Sequence, residues 1–101
     1  MNINEIPLSP DNQTFSTTLA ELTLTMRLVW REGVGWVLDL LDNNDAGIVT
    51  GIALVSGVDL LAQYSHLQLG FKLVVACDDA AQEYPTKTDL GINSHLYVLT
   101  E

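Results

Sequence analysis

This sequence predicts a small all-β fold: a barrel or sandwich of six to eight short, mostly antiparallel strands with one short helical turn. Three observations lead there. Leu22, Leu24, Met26, Leu28 and Trp30 share one parity while Thr23, Thr25, Arg27 and Arg31 take the other, and a period of two makes an apolar face on a strand but not on a helix. Short runs rich in Val, Ile, Leu and Thr recur along the chain. Clusters of Gly, Asn, Asp and Pro separate them at the close spacing of an all-β domain.

Taken in order, residues 2–7 read as a short edge strand, because Pro7 and Pro10 cannot donate to an interior ladder, and a turn follows at Asp11-Asn12. Residues 15–19, rich in Ser and Thr, suit a second strand. The alternating segment 22–31 is the third. Glu32-Gly33-Val34-Gly35 breaks it, with glycines that accept positive φ in a hairpin. Trp36, Leu38 and Leu40, alternating with Val37, Asp39 and Leu41, form the return strand. The run from Asp42 to Gly47 is dense in turn formers, and residues 48–55 complete a meander. Asp59 is placed to cap a short helix in which Leu60, Leu61, Tyr64 and Leu67 have helical spacing, although the stretch is brief enough to be irregular. Residues 71–77 are apolar and β-branched, consistent with a strand buried on both faces. Residues 78–91 form a polar, acidic connection, and residues 94–100 close the fold.

At 101 residues, 48% of them hydrophobic, the chain reads as one β domain spanning residues 1–101. Its mean hydropathy of +0.22 fits a folded protein. A domain this long buries roughly 60–70% of the surface its unfolded chain exposes, enough for a core without a metal or disulfide. Cys77 is the only cysteine, so no intrachain disulfide forms, and Asp78 and Asp79 beside it disfavour a thiolate. The first residues lack the basic and apolar regions of a signal peptide, and no apolar run reaches the length of a membrane span. Folding in a cytoplasm, with no membrane partner, is expected.

Charge narrows the partners. Four Lys and Arg oppose thirteen Asp and Glu, a formal net of −9, and Arg27, Arg31, Lys72 and Lys87 form no basic run. Nucleic-acid affinity rests on cations that displace phosphate counterions, so direct nucleic-acid binding is not expected. The same charge also serves solubility.

No catalytic, cofactor or metal residues are expected from the sequence. Counted as a calcium loop, the acidic turn supplies Asp42 and Asn44 but then Ala46 and, at the twelfth position, Ala53, where oxygen ligands are needed. A hairpin turn is the better reading. His66 and His95 lack a second ligand at metal spacing and read as hydrogen-bonded structural histidines. Asp39 and Asp42, three apart on a strand, point to opposite faces. Neither a Gly-x-Ser-x-Gly elbow nor a glycine-rich phosphate loop occurs. Trp30 and Trp36 flank the glycine turn, either pairing across the hairpin or anchoring a partner, since Trp is enriched at interface hot spots. With Tyr64 they also define an alternative reading: a β module that binds a carbohydrate or small ligand on exposed aromatics.

A series of landmarks then stands out: Ile6-Pro7-Leu8, Asn12-Gln13-Thr14-Phe15, Trp36-Val37-Leu38-Asp39, Gly51 through Gly57-Val58-Asp59-Leu60-Leu61, and Thr86-Lys87-Thr88-Asp89-Leu90-Gly91. In this order, across nearly the whole chain, they resemble the baseplate plug family of contractile-tailed bacteriophages. The resemblance implies a structural component of the virion, assembled in the host cytoplasm. It would sit centrally in the tail baseplate against hub, spike or tube-initiator proteins, with room for multiple copies, and would have no enzymatic activity and no cofactor. It gives Gly51 and Gly57 backbone roles, Asp59 a capping role and Trp36 a packing role. The Gly33-Val34-Gly35 turn and the Asn43-Asn44-Asp45 loop lie outside the landmarks. Trp30, Trp36, Ile6 and Tyr64 are the candidate partner-binding residues, and open edges such as residues 3–7 could extend a partner's sheet. Carboxylates facing a DNA channel would keep phosphates moving.

Overall fold

Two antiparallel sheets, one of four strands and one of three, face each other in a computed structural model that describes residues 2–19, 21–67 and 69–100, with side chains at all of these except Ser65 and His66. The strands are β1 (Asn2–Ile6), β2 (Gln13–Leu19), β3 (Leu22–Arg31), β4 (Gly35–Leu41), β5 (Gly47–Ala53), β6 (Phe71–Cys77) and β7 (Ser94–Thr100), with one 3₁₀ turn at Ala62–Leu67 between β5 and β6. The larger sheet is the meander β2-β3-β4-β5, and the smaller has the order β1-β7-β6. The sheets are not closed into a barrel, so of the two expected architectures the chain adopts the sandwich.

Register shows why alternation made the core. Phe15, Met26, Leu40 and Val49 stand in one cross-strand row of the large sheet, and Gln13, Leu28, Leu38 and Ile52 in the next. Opposite them, the small sheet contributes the rows Ile6-Leu96-Val75 and Asn4-Val98-Leu73. Met26, Leu28, Leu38, Leu40, Leu73 and Leu96 are all 0% exposed, and fully burying such a side chain stabilises by about 1.5–3 kcal/mol.

The β4–β5 ladder shifts register between Leu38 and Leu40, with Leu38 opposite Ile52 and Leu40 opposite Val49. Two residues, Thr50 and Gly51, therefore face one, Asp39. This is a β-bulge, and Gly51 takes the left-handed φ of 75° that the bend requires. The Gly51 N–H donates to Asp39 Oδ1 at 2.8 Å.

One expectation is revised. Strand β6 is not buried on both faces: Phe71, Leu73 and Val75 are buried while Lys72 and Ala76 are exposed. Only one face of the small sheet meets the core, so an apolar run there reports β propensity more than two-sided burial. The helical segment is a single kinked 3₁₀ turn, with Tyr64 at φ −113°. Asp59 introduces it, accepting the Leu61 N–H on its carboxylate at 3.0 Å and the Ala62 N–H on its carbonyl at 3.1 Å. The reading of His66 as a structural histidine concerns a side chain outside the described ones.

Candidate docking surface

The four candidate contact residues do not form one site. Ile6 and Trp36 are 5% and 2% exposed. Ile6 lies in the core row opposite Leu96, and the Trp36 indole N–H donates to the Thr86 carbonyl at 2.8 Å. A partner could reach either only by opening the core, because both side chains face inward from their strands. Trp30 is half-buried and packs edge-to-face against Trp36, with ring centroids 5.6 Å apart and planes at 68°. Its N–H donates to Glu32 Oε1 at 3.1 Å. Tyr64 is half-buried in the 3₁₀ turn and lines a separate hollow with Ile52, Val55 and Val58.

The titratable groups serve the scaffold. Burial alone would raise the Asp39 pKa, but the Gly51 N–H, then Arg27 and the charge of Arg31, outweigh it and hold the carboxyl below its ordinary value. Arg27 donates to Asp39 Oδ2 from Nε at 3.0 Å and from Nη2 at 2.6 Å. Asp89 likewise lies below its ordinary value: burial opposes, and hydrogen bonds from Gln82, Thr86 and Ser94 prevail. Those bonds, 2.8 Å from Gln82, 2.6 Å from the Thr86 N–H and 3.0 Å from Ser94 Oγ, tie the acidic connection into a compact loop. Asp42 Oδ1 accepts the Asn44 and Ala46 N–H groups at 2.8 and 3.0 Å, which makes the acidic turn a clasped hairpin. Burial raises the Cys77 pKa, and the charges of Asp89, Asp78 and Asp79 raise it further. Among the described residues, no group of three or more His, Cys, Asp or Glu is placed to hold a metal ion.

One polar cluster had no local signal in the sequence. His95 Nδ1 meets Glu5 Oε2 at 2.8 Å, and its Nε2 meets Asp78 Oδ1 at 3.1 Å. A carboxylate only accepts, so both contacts are hydrogen bonds when each ring nitrogen carries a proton. The bond to Glu5 raises the His95 pKa, burial opposes it, and the charges of Glu5 and Asp78 add to the rise. The cluster links β1, β7 and the end of β6 across the outer face of the small sheet.

The two sides of the sandwich differ in how their strand edges end. Beside β6, residues 56–60 cover the edge: the Gly57 N–H donates to the Val75 carbonyl at 3.1 Å and the Leu60 N–H to the Leu73 carbonyl at 2.8 Å. On the other side β1 and β2 are outermost in their sheets. Among the described residues, no further backbone hydrogen bond reaches either of these strands. A cleft of about 500 Å³ runs between them, lined by Asn4, Glu5, Ile6, Phe15, Thr17 and Leu19, among others. It continues past Asn4 and Leu19 to Glu21 and Gly70.

Residues 3–101 match the model of a family described as Cyanophage baseplate Pam3 plug gp18. The chain belongs to this phage baseplate plug family. No match is found among curated proteins. In this baseplate plug sequence the landmark side chains are internal fastenings. Trp36 is bonded to Thr86, Asp39 to Gly51 and Arg27, Asp59 to Leu61, and Asp89 to Gln82, Thr86 and Ser94. Gly91 belongs with them: a Cβ there would fall 2.0 Å from the Leu8 carbonyl oxygen, so only glycine lets the two landmark segments touch.

Proposed function

We propose that this chain is a non-enzymatic structural subunit of a contractile phage tail. It sits centrally in the baseplate against hub, spike or tube-initiator proteins, in one or more copies, and helps to assemble or close the end of the tail tube. The family match over residues 3–101 carries the reading.

Three features support it. The bonded polar side chains described above hold loops and bulges in place, which is what a rigid building block needs. The sandwich has open strand edges that can meet a neighbouring subunit. Ile3, Val34, Val58, Tyr84 and Ile92 are each at least half exposed, distributed over loops and β1. A net charge of −9 repels phosphate, so a subunit beside the DNA exit would not retain the DNA that passes it. The carbohydrate-binding alternative needs a tryptophan exposed in a concavity. Trp36 is in the core and Trp30 packs against it, and the hollow that Tyr64 lines contains neither tryptophan, so the observations favour the structural reading.

The test is the composition of purified tails. The chain should be present at a fixed stoichiometry, and deletion of its gene should yield particles with incomplete or tubeless baseplates. Absence of the chain from purified tails, or normal tails without it, would contradict the proposal.

A further inference from the structure

Strand edges that remain open on a folded protein are liabilities, which proteins blunt by covering them, shortening them or charging them. This chain covers its β6 edge with residues 56–60; among the described residues β5 also ends its sheet without a further backbone partner, but the β1 and β2 edges are the two that flank a common cleft. There the burial pattern itself opens. Asn2, Ile3, Asn4 and Glu5 are exposed at both parities, and the inward-facing Gln13, Phe15 and Thr17 of β2 are only half-buried. In an antiparallel ladder every second residue turns its N–H and C=O away from its partner strand, so each of these edges presents an unused row of donors and acceptors in the plane of its sheet, beside the cleft.

General sheet geometry sets where a strand can dock: neighbouring strands lie about 4.8 Å apart in the plane of their sheet, so a strand laid along either edge pairs with that edge and turns alternate side chains toward the cleft. Phe15, Leu19 and Val98 form an apolar floor for its inward side chains, while Glu5, Ser16 and Thr18 stand along the rim.

Charge selects the occupant. Glu5 and Glu21 line the cleft and its continuation, and none of the four cations does. Arg27 is bonded to Asp39, Lys87 lies 3.4 Å from Glu32, Lys72 is on the outer face opposite Leu99, and Arg31 stands at the Gly35 hairpin. His95 contributes at most one positive charge against Glu5 and Asp78 together. A second copy would bring another formal −9 to the same place, which opposes self-pairing.

We infer that the cleft between β1 and β2 receives one extended, basic strand from a different protein, paired by its backbone to one of the two open edges. This rests on the structural reading above and names the surface and the chemistry of the partner segment.

The test uses the full chain, labelled with nitrogen-15, in low salt. It is titrated with the capped peptide Thr-Lys-Val-Thr-Val-Lys-Val-Thr and with its counterpart carrying Glu in place of both Lys. The lysine peptide should shift the β1 and β2 amides saturably and slow the exchange of one of these strands at least tenfold, leaving β4 unchanged, and the glutamate peptide should bind at least tenfold more weakly. The E5Q/E21Q double variant should lose several-fold in affinity. Thr18→Lys, on an exposed rim position that does not touch the core, should do the same without affecting folding. No saturable shift in β1 and β2, equal binding of the two peptides, or concentration-dependent protection of these strands without peptide would overturn the inference. None of those results bears on whether the chain is present in tails, so failure here and failure of the structural reading remain distinct.

Discussion

Strand β4 and strand β1 are extended alike but physically opposite. All seven residues of β4 are buried, including Asp39, while four of the five in β1 are exposed. The difference arises from position in the sheets: β4 has strands on both sides, and β1 ends its sheet beside a cleft. One region holds the fold together and the other is available to something else. A building block needs both, and keeping them in separate places allows an edge to bind without loosening the core.

The sharpest way to break the comparison is by truncation. Leu38→Ala or Leu40→Ala, at positions that are 0% exposed, should cost about 2–5 kcal/mol in urea unfolding. Ile3→Ala, at 60% exposure, should stay within about 0.5 kcal/mol. Equal effects would mean that β1 is as much part of the core as β4.

A smaller effect is expected at the bulge. Asp39→Asn removes the charge that accepts from Arg27 and Gly51 and should cost about 1–3 kcal/mol, the range for a charge-assisted hydrogen bond in a mostly buried setting. Arg27 is half in solvent, with 47% of its side chain exposed, which keeps the loss below that of a fully buried pair.

Next come the tryptophans. Trp36→Phe deletes the N–H that reaches Thr86 and should destabilise by about 1 kcal/mol, with added mobility of the 86–89 loop in hydrogen exchange. Trp30→Phe, whose N–H meets the exposed Glu32, should have a smaller effect.

The smallest change is in pH dependence. The folded-state pKa of His95 is raised, so its contribution is complete below the unfolded value near 6.5 and is lost as pH rises from there through the folded pKa. Stability measured at pH 5.5 and at pH 8 should therefore differ less in His95→Asn than in the parent. Asp39 and Asp89 are lowered. Their contribution is present above the unfolded carboxyl pKa and is lost as pH falls through the lower folded value, so acid should first loosen the bulge and the 78–91 loop.

Local pattern made much of this fold legible. The alternation of 22–31 and the glycines at 33 and 35 define a hairpin whose pairs run from Thr25-Leu41 to Arg31-Gly35. Pro7 and Pro10 marked β1 as an edge before any partner was known. What local pattern could not show was which strand β1 would join. Its partner is β7, at the far end of the chain, with Asn2 opposite Thr100, and no short-range signal encodes a pairing of that separation. The His95 cluster was invisible for the same reason, since it exists only once β1, β7 and the end of β6 lie side by side. Trp36 was ambiguous between core and contact because an indole has a large apolar surface and one polar tip. The decision rested on Thr86, fifty positions away.

Hydrogen exchange of the chain, free in solution and within assembled tails, reads the closed strand and the open edges in one experiment. The β1 and β2 amides should exchange readily in the free chain, those of at least one of the two strands at least tenfold more slowly in the tail, and those of β4 slowly in both. Identical exchange of β1 and β2 in the two states would contradict this.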